Sequence, residues 1–248
     1  MENNNHIFDD LKIIFSQERL NGYLSHSKCN NSKNEALIAY SWNIELSQAL
    51  YSALQILEIA LRNSLHNAIT QGFQTEHWFE MSFLHDREKK RVDQAKDSLR
   101  KEKKQIESGR IVAELSFGFW TSLFDVRYEH GQVLWPKLLK PTFPFLPKGQ
   151  RTRHYLSREL NRIRLLRNRI FHHEPIWHWK DLPSQHNSII NLTKSLSLSA
   201  SKFLKIFDQF KEVYFNGKSQ IEIKLKNEFI ELQRQSEQFN MRNIQIAE

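Results

Sequence analysis

ALIAYSWNIELSQALYSALQILEIALRNSLHNAI, residues 36–69, is the stretch on which the fold turns. Leu37, Tyr40, Ile44, Leu50, Leu54, Leu57, Leu61, Leu65 and Ile69 keep the spacing that lines one side of an α-helix. Ser32 stands three residues before Glu35, a capping-box spacing that satisfies free backbone donors at a helix start. The pattern predicts one long helix, with a bend near Trp42 and Asn43. Glu58 is anomalous in it, a carboxylate among Ile56, Leu57, Ile59 and Leu61.

Helical spacing continues on both sides. Residues 8–24 predict a short helix and a turn, and SHSKCNNSKN after them a loop. Residues 85–109 read as a mostly polar helix outside the core, with a thin stripe of Val92, Ala95, Leu99 and Ile106 and a stop at Gly109. Residues 110–124 read as a buried helix in which Gly118 allows a close neighbour. WPKLLKPTFPFLPKG, at 135–149, holds four prolines and must be irregular, since each removes a donor and restricts the residue before it. After the loop IWHWKDLPSQ, helices are expected over 184–214 and 218–240, parted by Asn216 and Gly217. The serines around Ser195 read as a helix face, and Phe203, Ile206, Phe207 and Phe210 as a core stripe. With 7 glycines and 6 prolines, tight hairpins are few. The expected class is all-α: an N-terminal helix and loop (1–34), a helical domain (35–215) and a C-terminal helical extension (216–248).

A chain of 248 residues that is 40% hydrophobic can bury a core and is not expected to be disordered. Its lone cysteine, Cys29, cannot form an internal disulfide, and MENNNHIFDDLK lacks the basic-then-apolar pattern of an export signal. No apolar run approaches the length that spans a bilayer. The expected setting is the cytoplasm, without a membrane partner. The net charge of +8 is concentrated between residues 140 and 180, where ten Lys or Arg face only Glu159 and Glu174. A field focused in this way most often meets a phosphate backbone; a merely solvated arginine-rich helix is the alternative.

The centre of that charge is RIRLLRNRIFHHEPIW, residues 162–177. Placed on a helix, residues 152–173 put Leu156, Leu160, Ile163, Ile170 and Phe171 on one face with Arg167 in their midst. Arg158, Arg162 and Arg169 fall on the far side with His173, while Arg164, Asn168 and His172 line the edge between. A guanidinium cannot shed its charge, so Arg167 needs a carboxylate or a second polar surface. Glu58 could supply the first from inside the fold; a phosphate held in a cleft or at a second subunit would be the other. Histidine beside a phosphate-binding arginine is the minimum set for metal-free RNA cleavage: one base, one acid and one fixed cation. Arg151, Arg153, Arg158, Arg162, Arg164 and Arg169 would dock the strand. Glu58, Arg62, Asn63 and His66 form a second polar cluster, in which Glu58 and Arg62 could pair with each other or orient the reacting pair. His77, His85, His130 and His154 lack metal-ligand spacing, so neither a metal nor another cofactor is expected. Trp177 and Trp179 could stack on bases or serve as packing.

RNRIFHH resembles the arginine, polar residue and histidine of the HEPN-domain motif, with Arg167, Asn168 and His172 in those places and His173 equally able to fill the last. FSQERLNGYL at 15–24, LQILEIALRN at 54–63, VAELSFGFWTSLF at 112–124 and LRNRIFHHEPIW at 166–177 together resemble, in order, the Abi-like abortive-infection family of bacterial HEPN proteins. The resemblance implies a HEPN-like helical bundle with additional N- and C-terminal helices. It also implies a homodimer with a composite ribonuclease site, a role in arresting growth against phage, and control by an antitoxin protein or a structured non-coding RNA. Two readings stand beside it: a non-catalytic RNA-binding module, and a scaffold whose charged helices at 85–108 and 218–240 bind a partner protein.

Overall fold

The structure is a computed structural model that describes residues 4–247, with side chains described for 7–232, 234 and 235. It is all-α: no strand occurs among the described residues. The helices are α1 (Asn4–Phe15), α2 (Gln17–Leu24), α3 (Lys33–Phe73), α4 (Asp86–Lys101), α5 (Ser108–Glu114), α6 (Phe117–Ser122), α7 (Leu139–Thr142), α8 (Arg153–Phe171), α9 (Leu182–Leu196), α10 (Leu198–Phe207), α11 (Phe210–Asn216) and α12 (Ser219–Ala247). Among the described residues no helix is long and apolar enough to cross a membrane.

The stretch at 36–69 lies inside α3, a single helix of 41 residues. Ser32 starts it as its spacing predicts, its hydroxyl accepting from the Glu35 backbone N–H at 3.3 Å. The chain separates into two compact units, and α3 contributes to both. Residues 1–49, 175–179 and 209–248 form one; 50–174 and 180–208 form the other.

In the first unit, Ser16 breaks the helix expected over 8–24 by taking φ +76° and capping α2 through the Arg19 N–H. Tyr23 packs edge-on against Tyr40 and stacks on Trp177. Asn43 is buried, and its side-chain oxygen accepts the backbone N–H groups of Ile176 (2.7 Å) and Trp177 (3.1 Å). That amide ties the loop after residue 174 to α3 and satisfies two donors that water cannot reach. On α12, Lys224 pairs with Glu45 at 2.8 Å.

In the second unit, α6 packs on α8, α8 on α9 and α9 on α10, while α4 lies on α5 and α6. Trp78, Trp120, Trp135, Phe119, Phe124 and Phe143 are fully buried. Each indole finds an acceptor, Trp120 at the Leu115 carbonyl and Trp135 at that of Leu123. The polar helix departs from expectation in two ways. It stops at Lys101, with Lys103 left-handed, so that Gly109 belongs to α5 instead. Its stripe of Val92, Ala95 and Leu99 is buried together with Glu88, which places one side of α4 in the core. Residues 110–124 split at Leu115 and Ser116, which are extended; a Cβ on Gly118 would meet nothing closer than 3.7 Å, so close approach does not explain that glycine. The helix expected over 184–214 breaks at Ser197, which caps α10 through the Ala200 N–H, and again at Asp208. Of the supposed core stripe only Phe210 is buried; Phe203, Ile206 and Phe207 are exposed, Ile206 to 72%.

Trp78 donates its indole N–H to His66 Nδ1 at 3.0 Å, and burial holds the His66 imidazole below its ordinary value of 6.5. The folded chain therefore binds that proton less readily than the unfolded chain does. Stability is complete above about pH 6.5 and falls as acidity rises through the interval below it. His66→Gln, which keeps an acceptor for Trp78, is expected to lose less thermal stability than the parent between pH 7.5 and pH 5; an equal loss in both proteins would refute the assignment.

Candidate functional site

Helix α8 begins at Thr152, whose hydroxyl accepts from the Tyr155 N–H. Its inner face is Leu156, Leu160, Ile163, Leu166 and Ile170. Leu166 takes the place expected for Phe171, which is 40% exposed. That rotation carries Arg167 to the edge of the buried face, its side chain 26% exposed, with Nε 3.5 Å from Oε2 of Glu58. The ion pair is loose, because Arg167 Nε is buried and makes no hydrogen bond even at that distance. The guanidinium also covers the Phe171 ring at 4.1 Å, and Phe171 in turn meets Tyr51, itself exposed, at a centroid distance of 5.9 Å.

Glu58 has structural work of its own. Its Oε1 accepts the Phe117 N–H at 3.1 Å, so one carboxylate both caps α6 and neutralises Arg167. Arg62 does not pair with it; Nη1 donates to the Ala113 carbonyl (3.4 Å) and Nε to Asn63 Oδ1 (3.2 Å).

The end of α8 is a Schellman turn. His173 N–H donates to the Ile170 carbonyl and Glu174 N–H to that of Arg169, with His173 at φ +57°. Glycine usually occupies such a position, because a side chain there clashes with its own backbone. Pro175 follows, where a helix cannot resume. Both histidines are exposed: His172 closes the helix, its N–H on the Asn168 carbonyl, and Asn168 lies one turn back, half-buried. His173→Gly is expected to raise stability by about 1 kcal/mol, moving a thermal midpoint up roughly 2–4 °C. A melt that shifts downward would show that the left-handed turn carries no strain.

The docking arginines are held by different partners. Arg151 holds the Leu146 carbonyl; Arg153 pairs with Glu129 at 2.7 Å; Arg158 reaches Glu159 at 3.1 Å; Arg162 meets Asp181 at 2.8 Å; Arg169 lies 3.5 Å from Glu174. Arg162–Asp181 and the Ser188–Glu159 hydrogen bond (3.0 Å) make the α8–α9 seam polar. Much of the positive charge counted along the chain is thus offset by carboxylates from elsewhere in it. Arg164 stands among further arginines, those of α4 and the turn after α6. Trp177 is buried between Tyr23, His26 and Lys218, which assigns it to packing, whereas Trp179 is half-exposed. Among the described residues no group of three or more His, Cys, Asp or Glu side chains is placed to hold a metal ion.

Compared with known proteins, the chain matches no family model, no curated protein and no solved structure.

Proposed function

We propose that the chain is a metal-independent endoribonuclease of the HEPN kind, acting in the cytoplasm as a dimer in abortive-infection defence. The observation that carries the reading is the exposed His172–His173 turn at the end of α8, held left-handed without a glycine, one and a half turns beyond an arginine whose buried Nε lacks a hydrogen bond. Backbone strain kept at a polar, exposed helix end is characteristic of sites that do chemistry.

The reaction this set of groups suits is attack of a ribose 2′-oxygen on the adjacent phosphorus. One imidazole takes the 2′-hydroxyl proton; the new P–O bond forms as the P–O5′ bond breaks; a second imidazole, protonated, delivers its proton to the leaving 5′-oxygen. The products are a 2′,3′-cyclic phosphate and a 5′-hydroxyl. Arg167 would meet the extra charge on the phosphorane with donors that Glu58 leaves unused, and Asn168 would orient the phosphate or an imidazole. The second imidazole comes from the doublet itself or from the same helix end of a second copy. Tyr51, Ile59, Leu165 and Phe171, apolar and exposed on α3 and α8, favour such pairing. The family likeness of RNRIFHH and its three companion segments supports the same reading and adds control by an antitoxin protein or structured RNA.

The purified chain is expected to cleave RNA in the presence of a chelator. Salt-sensitive RNA binding with no cleavage would replace this reading by that of a binding module. Ile223, Ile230 and Leu232, exposed on α12, favour a partner-binding role for that helix.

A further inference from the structure

Four arginines converge on one open cleft of about 140 Å³ in the second unit. Arg87 and Arg91 come from adjacent turns of α4, Arg127 from the turn after α6, and Arg164 from α8. Asp125 is the one acidic residue in the lining, so four positive charges face one negative, an excess of three. Asp125 is already engaged: it accepts both the backbone N–H and Nε of Arg127, each at 3.0 Å, and these hydrogen bonds hold its carboxyl below the usual range. Glu88 lies within electrostatic reach of Arg91 but is buried and accepts from the Tyr128 hydroxyl at 2.9 Å.

Two of the guanidinium groups are fixed by neutral partners, Arg91 by the Gly118 carbonyl at 2.9 Å and Arg164 by Asn161 Oδ1 at 3.3 Å. Each uses one N–H of its fork and keeps others for a ligand. Like charges four residues apart on α4 destabilise that helix on their own. Burial, and then the neighbouring Arg87 charge, lower Arg91's hold on its proton, with Arg164 adding to the effect. An anion with several acceptor oxygens would relieve this repulsion at every arginine together.

We propose that this cleft is a phosphate-binding site, formed by Arg87, Arg91, Arg127 and Arg164. It goes beyond the cleavage reading and does not depend on it. Arg164 lies two turns before His172, about 12 Å along α8, so the phosphate could be a free one or part of a strand that also reaches the helix end.

The test is calorimetric titration of the full chain at low salt with pyrophosphate and with a 5′-hydroxyl hexaribonucleotide, comparing the parent with Arg164→Gln and Arg87→Gln. Arg100→Gln, on the same helix as Arg87 but outside the cleft, controls for loss of one charge. Each cleft variant is expected to bind at least one probe about tenfold more weakly, with the control unchanged. Loss confined to pyrophosphate identifies a free phosphate as ligand; loss confined to the oligonucleotide, or shared by both, identifies a strand or a site open to either. Binding of neither probe by the parent, equal binding by parent and cleft variants, or equal loss in Arg100→Gln overturns the proposal.

Discussion

On the proposed reading, His172→Ala slows RNA cleavage by about 10²- to 10⁴-fold, the range removed with a general acid or base, and leaves the fold intact because the imidazole is exposed. Arg167→Ala is expected to cost about 10²- to 10³-fold, the loss typical of a charge-stabilising donor. Arg167 needs a control, since it also neutralises Glu58. If its role were only to balance that carboxylate, Glu58→Gln would make it dispensable, and the double variant Glu58→Gln/Arg167→Ala would match the parent. If it holds a phosphate, Glu58→Gln keeps or raises cleavage by releasing the guanidinium, while the double variant stays as slow as Arg167→Ala. Rates measured with subsaturating RNA, with circular dichroism confirming helicity, separate these outcomes. His173→Ala completes the set, because the doublet offers two candidates at one helix end.

The largest stability effect is expected at Asn43. Asn43→Leu fills similar space but removes the acceptor from two backbone N–H groups inside the first unit, those of Ile176 and Trp177. A buried donor left unsatisfied costs about 1–3 kcal/mol, so the pair amounts to about 2–6 kcal/mol. For a chain of this size that lowers the thermal midpoint by roughly 5–20 °C. A shift below about 2 °C would mean that the 175–179 segment finds other partners and that Asn43 does not anchor it.

What local pattern determines was legible in the sequence. The long helix α3 and its Ser32 start follow from spacing within a few residues, and so does α8, although its buried face is turned so that Leu166 replaces Phe171 and Arg167 lies at the edge rather than in the middle. What long-range contact determines was not. Ser197 and Asp208 interrupt a pattern that continues as a helix on paper, because a serine that caps and a serine inside a helix look alike until its side chain takes a backbone donor. Phe203, Ile206 and Phe207 carry helical spacing whether the face they form is covered or exposed. Counting charges along the chain suggested one basic helix, yet Glu129, Asp181 and Glu58 reach its arginines from other elements. The four arginines that line one cleft instead draw on three separated segments, which no window of sequence brings together. Asn43 stood out only as a place where the long helix was expected to bend, since its anchoring role lies in two donors more than 130 positions away.

The central claim is that the end of α8 cleaves RNA through a 2′-hydroxyl, and the ends of the cut strands test it most directly. RNA incubated with the chain in a chelator and then mapped at its new termini is expected to carry 2′,3′-cyclic phosphates and 5′-hydroxyls, and to be cut at least about 10²-fold more slowly by His172→Ala. Termini bearing 3′-hydroxyls and 5′-phosphates, or the same cuts made by His172→Ala/His173→Ala, would contradict the account.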